Sequence, residues 1–159
     1  MESRAKFMGH SVHQMLIVFP LGLLGTAIAF DLIRLLGGGP EMARVAYWLV
    51  IAGLIGGAVA APFGTIDWLG VPHGTRAKRI GLLHGAGNLA VMALFLLSWL
   101  LRRDAPETPP ALAYVLSFAG GGLSLVTAWM GGELVARLGV GVSPRADVNA
   151  PSSLEHRSW

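Results

Sequence analysis

Four apolar runs, each long enough to cross a bilayer, leave this chain few folds to choose from. They are Met15 to Leu36, Val45 to Phe63, Ile80 to Leu101 and Leu112 to Val135. A stretch of about 20 apolar residues spans the hydrocarbon core as a helix. Lipid offers no partner to a backbone N–H or C=O, so such a run satisfies its own backbone by coiling. The runs predict transmembrane helices over about 13–36, 45–63, 80–101 and 112–136. Turn chemistry closes them: Gly37-Gly38-Gly39-Pro40 after the first, a loop with Pro72 after the second, and Pro106, Pro109 and Pro110 after the third. Short loops make neighbours antiparallel. The expected fold is an all-α membrane protein, four transmembrane helices in an up-down antiparallel bundle. One domain covers 1–142, and 143–159 forms a disordered tail.

Composition agrees. The 159 residues are 53% hydrophobic and 13% charged, where a soluble domain carries about 25% charged residues. There is no cysteine, which removes disulfides, thiolate ligands and thioether-linked haem. The net charge of +3 does not mark a nucleic-acid binder, because the basic residues sit at the ends of apolar runs and form no stripe. A cleavable signal peptide is not expected, since the first run is too long for an h-region. Pro20, one turn inside the first run, predicts a kink. The glycines and alanines of runs two and four suit close helix packing in lipid.

Basic residues set the expected orientation. The end with both termini carries Arg4, Lys6, Arg76, Lys78, Arg79, Arg137, Arg145 and Arg157, eight in all. The other end carries four: Arg34, Arg44, Arg102 and Arg103. The positive-inside rule then places both termini in the cytoplasm. At the far end, Asp31 and Arg34 are three apart and suit an ion pair.

The terminal end also collects the chain's polar chemistry. His10 and His13 open the first run, and their spacing of three puts them on one face if the helix has begun there. Asp67 closes the second run beside Trp68, and His73 lies in the following loop. His84 and Asn88 stand one turn apart near the start of the third run. Glu133 ends the fourth, with Arg137 at i+4 as a possible partner. Ionisable groups at membrane depth are costly and usually functional. Each also has a plain reading: interfacial anchoring for His10 and His73, interhelical hydrogen bonding for His13, His84 and Asn88, and capping for Asp67.

The sharper reading is a ligand site. His13 and His84 fall on diagonally opposed helices of an up-down bundle, and haem iron accepts two axial histidines. In this reading haem b is the cofactor, with His10, Asp67, Asn88 and Glu133 around the ligands. Gly22, Gly81, Gly85 and Gly131 would leave room for a porphyrin, and Arg76, Lys78 and Arg79 would meet its propionates. The alternative ligand is a transition-metal ion on His10, His13 and His84.

The stretch Gly9-His10-x-x-His13-x-x-x-x-Val18-Phe19-Pro20 resembles a known family. So do Asp67-Trp68, Gly81-Leu82-Leu83-His84 with Asn88, and Gly131-Gly132-Glu133-Leu134-Val135. Together they are similar to the bacterial membrane family catalogued as domain of unknown function 2231, over about residues 9 to 142. The resemblance implies a four-helix inner-membrane protein and no assigned activity. The family usually has proline after each opening histidine, where this chain has Ser11 and Gln14. Many members carry a third histidine where this chain has Val18.

Three functions stay open. One is a haem- or metal-binding redox subunit working with other membrane or redox proteins. The second is a non-enzymatic scaffold or accessory subunit. The third is a small proton or ion carrier. No hydrolase, kinase or zincin motif is present, and nothing in the sequence argues for an enzyme.

Overall fold

The computed structural model describes residues 1–154. The chain opens with a small hairpin. β1 (Lys6–Phe7) pairs antiparallel with β2 (His10–Ser11), Lys6 opposite Ser11 and Phe7 opposite His10. The two turn residues, Met8 and Gly9, have φ of 48° and 85°. Positive φ at both central positions gives a two-residue turn the twist that a hairpin needs.

The first span is α1 (Val12–Leu16) and α2 (Val18–Leu35), separated at Ile17. The break is the kink expected of Pro20. A proline at 20 offers no N–H to the Leu16 carbonyl, and its ring crowds that turn. α2 stops at the glycine run: the Gly38 N–H donates to the Ile33 carbonyl at 2.9 Å and the Gly37 N–H to Arg34 at 3.4 Å. Gly37 takes φ of 107°, so this is a Schellman ending, which a side chain at 37 would strain.

α3 (Pro40–Gly70) runs longer at both ends than the apolar tally of 45–63. Pro40 starts it because the first helical residue has no use for an N–H. It passes through Pro62 without ending, as membrane helices do when neighbours satisfy the freed carbonyls. α4 (Arg76–Arg102) begins at Thr75, whose hydroxyl accepts the Lys78 N–H at 3.1 Å. α5 (Ala111–Gly132) passes into one π turn, Glu133–Arg137.

Four helical segments are long and apolar enough to cross a membrane: Val12–Leu35, Pro40–Gly70, Arg76–Arg102 and Ala111–Arg137. Packing is most extensive within two hairpins, α2 with α3 and α4 with α5. α3 against α4 joins them, and a slighter α2–α5 contact closes the ring. The first and third spans are therefore diagonal. The protein is a four-helix, all-α membrane bundle.

The interior is built of Leu24 and Ala27 on α2, Ala46, Val50 and Leu54 on α3, and Val91 and Phe95 on α4. Large side chains such as Leu36, Leu89, Trp48 and Leu125 face outward, where lipid solvates them as well as a core would. Small residues let the helices close: a Cβ added at Gly53 would stand 2.7 Å from Leu24 Cγ, itself buried.

Candidate functional site

The end of the bundle that carries the N-terminus, Gly70, Arg76 and Arg137 does gather the polar residues. It does so as three separate centres.

The first centre is the pair of membrane-embedded imidazoles. His13 Nδ1 lies 3.0 Å from the Ala60 carbonyl on α3, and His84 Nδ1 lies 2.9 Å from the Thr127 carbonyl on α5. A carbonyl oxygen only accepts, so each Nδ1 carries a proton, and Nε2 is the ring nitrogen turned away from that bond. Glycine seats both rings. A Cβ at Gly64 would come within 2.7 Å of His13 Cε1, and one at Gly131 within 3.2 Å of His84 Cε1. Pro62, two residues past Ala60, loosens the local ladder where His13 docks.

The two rings share a depth. A Cβ at Gly57 would meet Met92 Sδ at 2.6 Å, which registers α3 against α4. From that crossing, Gly64 lies seven residues along α3 and His84 eight residues back along antiparallel α4. These are about 10 and 12 Å of rise in the same direction. His13 and His84 are each half-buried and each tied to its own hairpin.

Asn88 braces the second ring. Its Oδ1 accepts the Thr127 hydroxyl at 3.0 Å and its Nδ2 donates to the His84 carbonyl at 3.0 Å. Nδ2 is also 3.2 Å from His84 Nε2 and 3.5 Å from Nδ1, so it stands nearly equidistant from the two ring nitrogens.

The second centre is Asp67, which is buried and grips the N-terminal segment. It takes the Ser3 hydroxyl at 2.7 and 2.8 Å, the Arg4 N–H at 2.7 Å, the Ala5 N–H at 3.3 Å and the Ser11 hydroxyl at 3.4 Å. Among the described residues it is bonded to no histidine.

The third is Glu133, which accepts from Arg76 Nη2 on α4 at 2.7 Å, not from Arg137 at i+4 on its own turn. The π turn starting at Glu133 and the preceding glycine pair carry the carboxylate toward α4. Lys78 sits 4.0 Å over the Trp68 ring and donates to the Trp68 carbonyl at 2.8 Å. Arg76 and Lys78 thus have protein partners.

His10 does not share a face with His13. The helix begins only at Val12, and His10 belongs to β2. It is exposed, with Nε2 3.3 Å from the Ser153 hydroxyl. His73 is exposed in its loop. Among the described residues no three or more His, Asp or Glu side chains group as a metal-ion site, so His10, His13 and His84 do not converge. The glycines expected to make room for a porphyrin do other work. Gly81 lies against Trp68, Gly131 seats His84, and Gly22 and Gly85 face outward with nothing within 4 Å.

The C-terminal segment folds back here too. The Met1 ammonium donates to the Gly139 carbonyl at 2.7 Å, the Gly141 N–H donates to the Met1 carbonyl at 2.9 Å, and Ser143 donates to Glu2 at 2.9 Å. Hydrogen bonds from Lys6 and then Ser143 hold the exposed Glu2 carboxyl below the usual carboxylate range. The expected disordered tail, 143–159, therefore has partners in its first part; its last part, 155–159, lies outside the described residues.

The far end holds a centre that the sequence reading passed over. Asp31 pairs with Arg102 of α4, not with Arg34 one turn away. Nη1 donates to Oδ1 at 2.6 Å and Nη2 to Oδ2 at 2.7 Å. Arg34 Nη1 instead donates to the Gly38 carbonyl at 3.3 Å. Spacing had a signal available: Ser98 and Arg102 are at i+4 on one apolar helix, facing Ser117 and Asp31 in two others.

Comparison with known proteins adds the following. The family model described as "Predicted membrane protein (DUF2231)" matches residues 9–144. No curated protein and no solved structure matches the chain.

Proposed function

We propose that this chain, which belongs to the DUF2231 family of predicted membrane proteins, holds haem b between His13 and His84 and serves electron transfer in the bacterial inner membrane. The observation that carries this reading is the matched fixing of two imidazoles at one depth: each Nδ1 is tied to a carbonyl, and Nε2 is the ligating atom in this reading. Metal-ligating histidines are oriented by this kind of second bond.

Ligand number separates the two metal readings. A bare ion asks for three or more protein ligands in most sites, and the described residues group no such set of His, Asp and Glu side chains. A haem iron asks for two, since the porphyrin supplies the rest, and it brings one-electron chemistry. Each imidazole rides on its own helical hairpin, and the packing between hairpins is slighter than that within them. That seam, above the Gly57–Met92 crossing, is where the group would sit. Arg79, exposed at the same end, is the basic side chain left to meet a propionate.

Expression with haem supplied is expected to give a red protein with a Soret band that shifts on reduction. His13→Ala or His84→Ala removes or shifts the band, and His73→Ala does not. A purified protein that takes up no haem on titration ends this reading. The scaffold reading then leads, because His13, His84, Asn88, Asp67 and Glu133 each bond a protein partner.

The bundle is in contact with lipid. We place both termini in the cytoplasm. Arg102 is turned inside to Asp31, which leaves Arg34, Arg44 and Arg103 as the basic residues of the far end against eight. A C-terminal alkaline phosphatase fusion is expected to be inactive; an active one reverses the orientation.

A further inference from the structure

We propose that Met8, His10 and Met15 form a Cu(I) site at the surface of the bundle, distinct from the His13–His84 pair. The three side chains line one cavity of about 230 Å³, with Phe7 and Ser152, Ser153 and Leu154 completing its wall. The backbone brings them there by local geometry. The left-handed turn at Met8 and Gly9 folds the hairpin tip back over the start of α1, and Met15 stands on α1 below it.

The donor set selects the metal. Thioethers are soft, uncharged ligands that favour Cu(I), and imidazole accompanies them. Zn is usually held by several imidazoles, thiolates or carboxylates and the harder ions by oxygen-rich sets; among the described residues this cavity offers one imidazole, two thioethers and no carboxylate. Phe7 and Leu154 make the wall apolar, which suits a low-charge ion that sheds its water. His10 is able to serve: among the described residues the one side-chain contact of its ring is the 3.3 Å approach of the Ser153 hydroxyl to Nε2. His13 is not, because its Nδ1 is held inside the bundle by Ala60. The positive φ at Met8 is a conformation that non-glycine residues rarely adopt. It puts this thioether at the tip, on the cavity.

The test is anaerobic titration of the full chain in detergent with Cu(I) against a chromogenic Cu(I) chelator. One equivalent is expected to be retained. Met8→Leu with Met15→Leu is expected to weaken binding by more than about tenfold, the least that loss of a metal-site group usually costs. His10→Ala should weaken it too, and His73→Ala should leave it unchanged. Copper K-edge absorption on the unaltered protein gives a readout independent of any variant, and sulfur scatterers are expected in the first shell. A first shell of nitrogen and oxygen alone, or full Cu(I) retention by the double leucine variant, overturns the site.

Discussion

Replacing Arg102 with methionine is expected to cost about 3–5 kcal/mol of folding stability, the range for stripping one partner from a buried ion pair. Arg102 and Asp31 are both 0% exposed. The guanidinium makes two parallel bonds to the carboxylate, donates through Nε to Ser98 Oγ at 3.1 Å and through Nη2 to Ser117 Oγ at 3.0 Å, and lies 5.1 Å from the Tyr114 ring centre. Ser98 in turn donates to the Ala113 carbonyl at 2.6 Å. Three helices, α2, α4 and α5, meet at this one group.

Methionine fills the space of the arginine stem and leaves Asp31 charged and unpaired in an apolar interior, which is the expensive outcome. Lysine at 102 is expected to recover only part of the loss, since a point charge cannot make the paired contact of a planar fork. Asp31→Leu combined with Arg102→Met removes both charges, and its stability should return most of the way to the starting protein or exceed it. Unfolding in mixed detergent micelles measures all three. A loss below about 1 kcal/mol for Arg102→Met, the worth of an exposed pair, would show that the ion pair does not hold the hairpins together.

The same pair shows why some of this protein was legible in its sequence and some was not. The four spans follow from a rule that lipid imposes on every residue in them, so counting apolar residues found them. Their ends did not follow. α3 continues past Pro62 to Gly70, as a membrane helix can, and an apolar tally does not register that. Asp31 and Arg34 looked like partners because local spacing is all that a sequence offers. The true partner is 71 positions away, brought near by the up-down topology. His10 and His13 failed as a face for a smaller reason: a two-residue turn at Met8 and Gly9 makes His10 part of a strand. The gathering of His13, His84, Asn88, Asp67 and Glu133 at one end was legible, because helix direction alone decides it. Which atoms they touch was not.

Asp67→Ala is expected to release the N-terminal segment. The carboxylate is the one buried acceptor that serves Ser3, Arg4, Ala5 and Ser11 together. Hydrogen bonds to a charged group contribute about 1.5–3 kcal/mol each, before the entropy of ordering the segment is subtracted. A net loss of about 3 kcal/mol in docking is expected, which raises the open population roughly a hundredfold. Arg4 and Lys6 then become cleavable by trypsin under conditions where the starting protein is cut slowly, because the docked backbone is pinned and an opened one is not. Ser3→Ala, which removes one donor and keeps the two backbone bonds, should accelerate cleavage much less. The four spans should remain folded, since α2 through α5 bury their faces on one another and not on this segment. Met8 and His10 leave with the hairpin, so Cu(I) retention should fall in Asp67→Ala, while His13 stays held by the Ala60 carbonyl and haem uptake persists. Cleavage at Lys6 no faster than in the starting protein would mean that Asp67 is not what fastens the segment.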